Sequence, residues 1–162
     1  VTSPADFDAL FEAHRLVQSV EMAAVHDADF SNRPADYAPK IRDGIEEARL
    51  IAGVSYVQAQ EVRRGFREHM EAAVAGSDAL LVPTVSSAAP RDLTTTGDPS
   101  FQAPWTSCGF PSISLPSGLT KAGMPLGVQL VAGPFEEGKL LATARWCEQV
   151  LDVHLVPPAA ER

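Results

Sequence analysis

Serine, cysteine and histidine are the side chains with which this sequence could do chemistry. Ser86 and Ser87 follow an apolar run, as a nucleophile at a strand end does. They lack the flanking glycines of a G-x-S-x-G elbow, and no histidine stands where it can be recognised as a base, so loop capping is the competing role. Cys108, between Ser107 and Gly109, reads either as a thiol nucleophile or as a small packing residue. The histidines at 14, 26, 69 and 154 form no H-x-x-x-H or Cys/His spacing, which leaves no zinc site to assign. Neither G-x-x-x-x-G-K-S/T nor G-x-G-x-x-G occurs, so no nucleotide cofactor has its phosphate loop. The chain spells out no complete catalytic constellation.

What surrounds these residues limits the classes of function. A chain of 162 residues that is 45% hydrophobic can bury a core, and its length predicts one domain, over 1–155, with 156–162 as a loose tail. Its net charge is −8, with acids scattered among Arg and Lys, which gives no footprint for nucleic acid or anionic lipid. No apolar run approaches the ~20 residues of a membrane span, and a soluble acidic protein is expected. The two cysteines, Cys108 and Cys147, are far apart and suit reduced thiols in a cytoplasmic protein better than a disulfide framework. A start at Val1 in place of Met fits removal of something upstream, by processing or by design.

The elements that must position any site follow from periodicity. Ser3-Pro4-Ala5-Asp6 is a helix start, and Phe7, Leu10, Phe11, His14, Val17 and Glu21 form its stripe, with His14 as a packed or rim histidine. His26 and Asp27 are expected to close that helix. After the prolines at 34 and 39, Ile41, Ile45, Ala48 and Ile51 predict a second helix ending at Gly53. Ser55 and Gln58 form a capping-box pattern opening a long helix with Val62, Phe66, Met70 and Ala73 inside. Its Arg63, Arg64, Arg67 and Glu68 read as a solvated face, with a phosphate site as the alternative.

Past Gly76 the period changes. The run from Asp78 to Val85 predicts a strand buried on both faces, hence a parallel sheet. Ser86 to Pro104 has no periodicity and is expected to be a long functional loop. Ser112–Leu115 and Leu126–Val131 alternate as strands, and Pro134, Glu136 and Glu137 open a last helix striped by Leu140, Leu141, Ala144, Cys147 and Leu151. This order of elements makes an α/β fold. Gly109, Gly118 and Gly127 read as a tight turn, a strand end and a close approach of packed elements.

Five fragments in fixed order carry a resemblance: Asp78–Thr84, Phe101–Thr106, Gly109–Gly118, Met124–Val131 and Pro134-Phe135. Together with Glu21-Met22-Ala23-Ala24 and Gly53-Val54-Ser55-Tyr56, this pattern resembles the C-terminal part of amidase signature enzymes over nearly the whole chain.

The resemblance implies part of a mixed β-sheet flanked by helices, and hydrolysis of carboxamide C–N bonds by a Ser nucleophile, a bridging Ser in a cis peptide and a Lys base. It implies no cofactor and no metal. The run that carries the triad in the family has no counterpart here, and Lys40, Lys121 and Lys139 stand in no matching context, so no residue of this chain is assigned to catalysis. The loop facing the acyl pocket in the family matches Phe101, Gln102, Trp105, Thr106 and Ser107, which are the expected substrate-binding residues, with Phe110 a further part of the apolar wall. Trp105-Thr106-Ser107-Cys108 stands where tRNA-linked members carry an Asn-containing stretch, which favours a small-molecule amide as substrate. The expected partner is the missing N-terminal portion or a second copy, because strands cut from a larger sheet leave an open edge. Two alternatives stand beside the amidase part, which by itself is expected to be inactive: a stand-alone remnant acting as a binding or assembly module, and a thiol enzyme using Cys108.

Overall fold

The structure is a computed structural model that describes residues 7–90, 92 and 94–155. The expected cap at Ser3 and the expected tail at 156–162 lie outside the described residues. The chain divides into two compact units, residues 2–69 and 70–162.

The first unit is helical, with α1 (Phe7–Asn32), a short 3-10 turn (Pro34–Asp36), α2 (Pro39–Arg49) and most of α3 (Gly53–Val74). The stripe read from sequence is the one α1 buries, at Leu10, Ala13 and Val17. This helix does not close at His26 and Asp27 but continues to Asn32. Its extra turn is held by packing: Phe30 is buried with Ala23, Ile45 and Ala48, and the Arg49 guanidinium lies 4.9 Å from the Phe30 ring while bonding the Asp27 carboxylate at 2.6 Å. His26 is thus an interior helix residue, its Nδ1 3.1 Å from the Tyr37 hydroxyl.

Two other local expectations shift by a turn or less. α2 opens on Pro39, whose fixed φ suits a first helical position, and ends at Arg49, not at Gly53, which opens α3. α3 starts at Gly53, so Ser55 lies inside its first turn, donating its backbone N–H to Ala52 O, and does not cap the helix through a capping box. Two arginines of α3 reach residues of their own helix: Arg64 pairs with Glu61, and Arg63 donates to Gln60 at 3.1 Å. Arg64 and Glu68 are exposed, as on the solvated face read from sequence, whereas Arg63 and Arg67 are half-buried.

The second unit is built on β1 (Leu80–Pro83), α4 (Ala103–Cys108), β2 (Ser112–Leu119), β3 (Pro125–Val131) and α5 (Glu137–Leu151). The α/β class is therefore as expected. The sheet runs β1-β3-β2 with both neighbouring pairs antiparallel, so the parallel arrangement inferred for β1 is corrected. Burial along β1 alternates, and Leu81 is 65% exposed. A continuous apolar run mimics a strand covered on both sides, but the direction of its partner is set by a strand some 45 residues later, which no local pattern encodes.

Ile113, Leu115, Val128 and Leu130 of the sheet pack with Leu140, Ala144 and Cys147 of α5 to form the core of this unit. Lys139 ties the start of α5 down, donating to Ser77 O at 3.1 Å and pairing with Glu136 at 2.8 Å. β2 carries a bulge at Ser117, where the register jumps from Pro116↔Gly127 to Gly118↔Leu126. Gly118, at φ 137, serves that bulge inside β2 and not the strand end expected of it.

α4 is the element that periodicity missed. Its six residues are too few for a stripe, and what defines it is punctuation: Pro104 in the first turn and Gly109 at φ 68 after the last. Phe110 N–H donates to Trp105 O and Gly109 N–H to Thr106 O, a Schellman closure that requires the left-handed residue between them. The tight turn read at Gly109 is this one.

Candidate functional site

A cavity of about 380 Å³ opens at the carboxyl end of β1. Its lining includes Thr84, Ser114 and Gly127 of the sheet, the apolar Val85, Pro116 and Leu126, and Ser86 and Asp98 in the loop that follows β1. The sheet brings the first three together. Thr84 N–H extends the β1–β3 ladder by donating to Gly127 O at 3.2 Å, and β2 runs along the other side of β3. The hydroxyls of Thr84 and Ser114 meet at 2.8 Å. A Cβ on Gly127 would stand 2.9 Å from each of them, closer than atoms tolerate, so the close approach expected at Gly127 is real and its cause is this hydroxyl pair.

Asp98 supplies the charge. It accepts the Ser100 hydroxyl at 2.8 Å, the Ser100 N–H at 2.9 Å and the Ser86 hydroxyl at 3.0 Å. The Ser100 hydroxyl and N–H, with Ser86 next, hold its carboxyl below the usual range, and it is ionised at neutral pH. An ionised carboxylate satisfied by three donors is a poor proton acceptor, and the Ser86 hydroxyl is one of those donors. The cavity can bind and orient a molecule.

The expected binding residues lie on and before α4. Phe101 and Gln102 are half-buried, Trp105 and Ser107 are buried, and Thr106 is exposed. None of them lines the cavity. Gln102 alone reaches its wall, through a side-chain amide that donates to Thr84 O at 2.5 Å. Trp105 is 6% exposed, and its indole N–H is buried without a hydrogen-bond partner. Phe110 is buried as well. Cys108 is 0% exposed, the burial of a packing residue and not of an accessible thiol. Neither cysteine is in a disulfide.

Sequence reasoning passed over Thr84, Ser114 and Asp98. A signal for the first two existed, because a glycine in mid-strand at 127 marks a place where other atoms come close. Which atoms those were depended on the antiparallel register. Among the described residues no three His, Cys, Asp or Glu side chains gather as metal ligands do, and no helix is long and apolar enough to cross a membrane.

An antiparallel sheet backed by one helix, with a cavity at the end of β1, makes this unit an α/β fold. The chain belongs to the amidase family, whose model, described as Amidase, matches residues 3–141. It is 31% identical over 147 residues to AmiD of Mycobacterium tuberculosis, a protein named as an amidase, covering 85% of this chain and 31% of that one. It is 36% identical over 111 residues to one component of the glutamyl-tRNA(Gln) amidotransferase of a Synechococcus species, covering 64% of this chain and 23% of that one. A crystal structure of an amidase superposes with a TM-score of 0.81 at 27% identity, over 92% of this chain and 36% of its own. The chain thus spans 36% or less of the length of these three proteins. The fold of this chain is that of amidase signature enzymes, as the sequence fragments imply.

Proposed function

We propose that this chain is the C-terminal part of an amidase that hydrolyses the C–N bond of a small-molecule carboxamide through a Ser-linked acyl-enzyme, with the Ser–cis-Ser–Lys triad outside these 162 residues. The observation that carries the reading is the family match over residues 3–141, in a chain whose Ser86 donates to Asp98, a carboxylate that Ser100 also satisfies. In that reaction a serine oxygen attacks the amide carbonyl, the amine leaves with a proton, and water cleaves the resulting ester.

The part played here is to hold the acyl group. Phe101 and Trp105 form its apolar wall, Thr106 and Ser107 offer polar contacts, and Gln102 holds the carbonyl of Thr84. Binding energy gathered away from the reacting carbon keeps the carbonyl in place for attack. The partner is the remainder of the amidase fold, joined to this chain or separate from it. Thiols outside any disulfide suit a cytoplasmic setting.

The test is to treat the active protein from its host with a fluorophosphonate and map the modified serine. Modification outside residues 1–162, together with amide hydrolysis that the 162-residue chain lacks alone, is the expected result. A label on Ser86 or any other serine of this chain overturns it, and a chain that circulates alone without activity is the stand-alone binding module.

A further inference from the structure

We propose that the cavity at the end of β1 binds a small uncharged compound that presents a hydrogen-bond acceptor on an apolar body, through the paired hydroxyls of Thr84 and Ser114. This is binding by the chain alone, and it stands or falls separately from the hydrolase reading.

The first argument is a count of protons. Two hydroxyls 2.8 Å apart share one hydrogen bond, which uses one of their two protons. Whichever residue donates, the other keeps its O–H, and the pair as a unit offers one donor to the cavity. That donor is held in place. Thr84 is fixed through both backbone groups, its N–H on Gly127 O at 3.2 Å and its carbonyl under the Gln102 amide at 2.5 Å, while Ser114 is fixed by the β2–β3 ladder. Gly127 leaves the space that the two oxygens occupy, and every other residue type would fill it.

The second argument is charge and surface. Three donors from Ser86 and Ser100 already occupy most of the acceptor sites of Asp98, and its negative charge opposes an anion in the same cavity. Val85, Pro116 and Leu126 add apolar wall, against which a hydrocarbon or aromatic body loses its water. An acceptor without charge on such a body satisfies all three features. A carboxylate satisfies only two.

The test is titration of phenylacetamide and of phenylacetate into the isotopically labelled 162-residue chain, followed through backbone amide resonances. Phenylacetamide is expected to give saturable shifts at Thr84, Ser114, Leu126 and Gly127, with phenylacetate weaker by about tenfold, the equivalent of one lost or opposed polar contact. Thr84→Val, which keeps shape and removes the hydroxyl, is expected to weaken phenylacetamide by a similar factor of about ten while leaving the dispersion of the spectrum intact. Asp98→Asn narrows the gap between the two probes by strengthening phenylacetate. Absence of saturable shifts at these residues, equal binding of the two probes, or unchanged binding by a folded Thr84→Val chain each overturns the proposal.

Discussion

The side-chain amide of Gln102 donates to the backbone carbonyl of Thr84 at 2.5 Å, joining the residue before α4 to the residue after β1 across 18 positions of sequence. Through this bond the α4 segment, which resembles the substrate-facing part of amidases, holds a residue of the cavity lining without itself belonging to it. Gln102→Ala leaves a half-buried carbonyl unpaired and is expected to lower stability by about 1–2 kcal/mol in urea denaturation. Phenylacetamide affinity should fall in the same variant. A change in neither quantity would show that Thr84 is held by its strand alone.

Trp105 carries an indole N–H that is buried and unpartnered. Trp105→Phe removes that donor and keeps most of the ring, so its stability should equal or exceed that of the original chain, whereas Trp105→Ala opens a cavity and loses about 3–5 kcal/mol. Thermal melts of the two variants check the contrast. In an active amidase containing this chain, a loss of kcat/KM in the Phe variant without loss of stability would mean that the N–H finds its acceptor in the substrate.

Two glycines should differ in how they fail. Gly109→Ala places a side chain at φ 68 and is expected to lose about 1 kcal/mol through backbone strain. Gly127→Ala meets two hydroxyl oxygens at 2.9 Å and must push them apart, so it should also abolish phenylacetamide binding, which Gly109→Ala leaves unchanged. Identical binding by both variants would sink the role given to the hydroxyl pair.

His14 titrates below its ordinary value of 6.5, chiefly because burial disfavours the imidazolium, with Arg63 adding to this and Glu21 opposing it. Its Nδ1 is buried without a partner. With the folded value below the unfolded one, the unfolded chain binds the proton first as pH falls. Stability is therefore full above about pH 6.5 and declines as pH drops through the folded value. His14→Gln should flatten this part of a stability-against-pH curve, and an unaltered slope would assign it to other groups.

The cysteines should react in a fixed order. Cys147 is half-buried on α5 and Cys108 is wholly buried. Iodoacetamide on the native chain is expected to modify Cys147 first and Cys108 only after denaturant is added, as peptide mapping would show. Early modification of Cys108 would favour the thiol-enzyme reading.

Much of this was written locally in the chain. The stripe at Leu10 and Val17, the proline at 39, the alternation around Ile113 and Leu130, and the α5 residues Leu140 and Ala144 each report a helix or strand by period alone, because burying one face requires that spacing. The family resemblance was legible for the same reason: its fragments are strands and turns in fixed order.

What local pattern does not contain is which strand lies beside which. The sequence by itself determined the α/β class, the positions of nearly every element, the amidase-type order of fragments and the need for glycine at 109 and 127. Only the tertiary structure decided that β1 is antiparallel to β3, that α1 runs on to bury Phe30, that a six-residue helix carries Trp105, and that Thr84 and Ser114 meet over Gly127. The two hydroxyls stand 30 positions apart in sequence, and their contact exists because β3 lies between β1 and β2 and carries no side chain where they cross it.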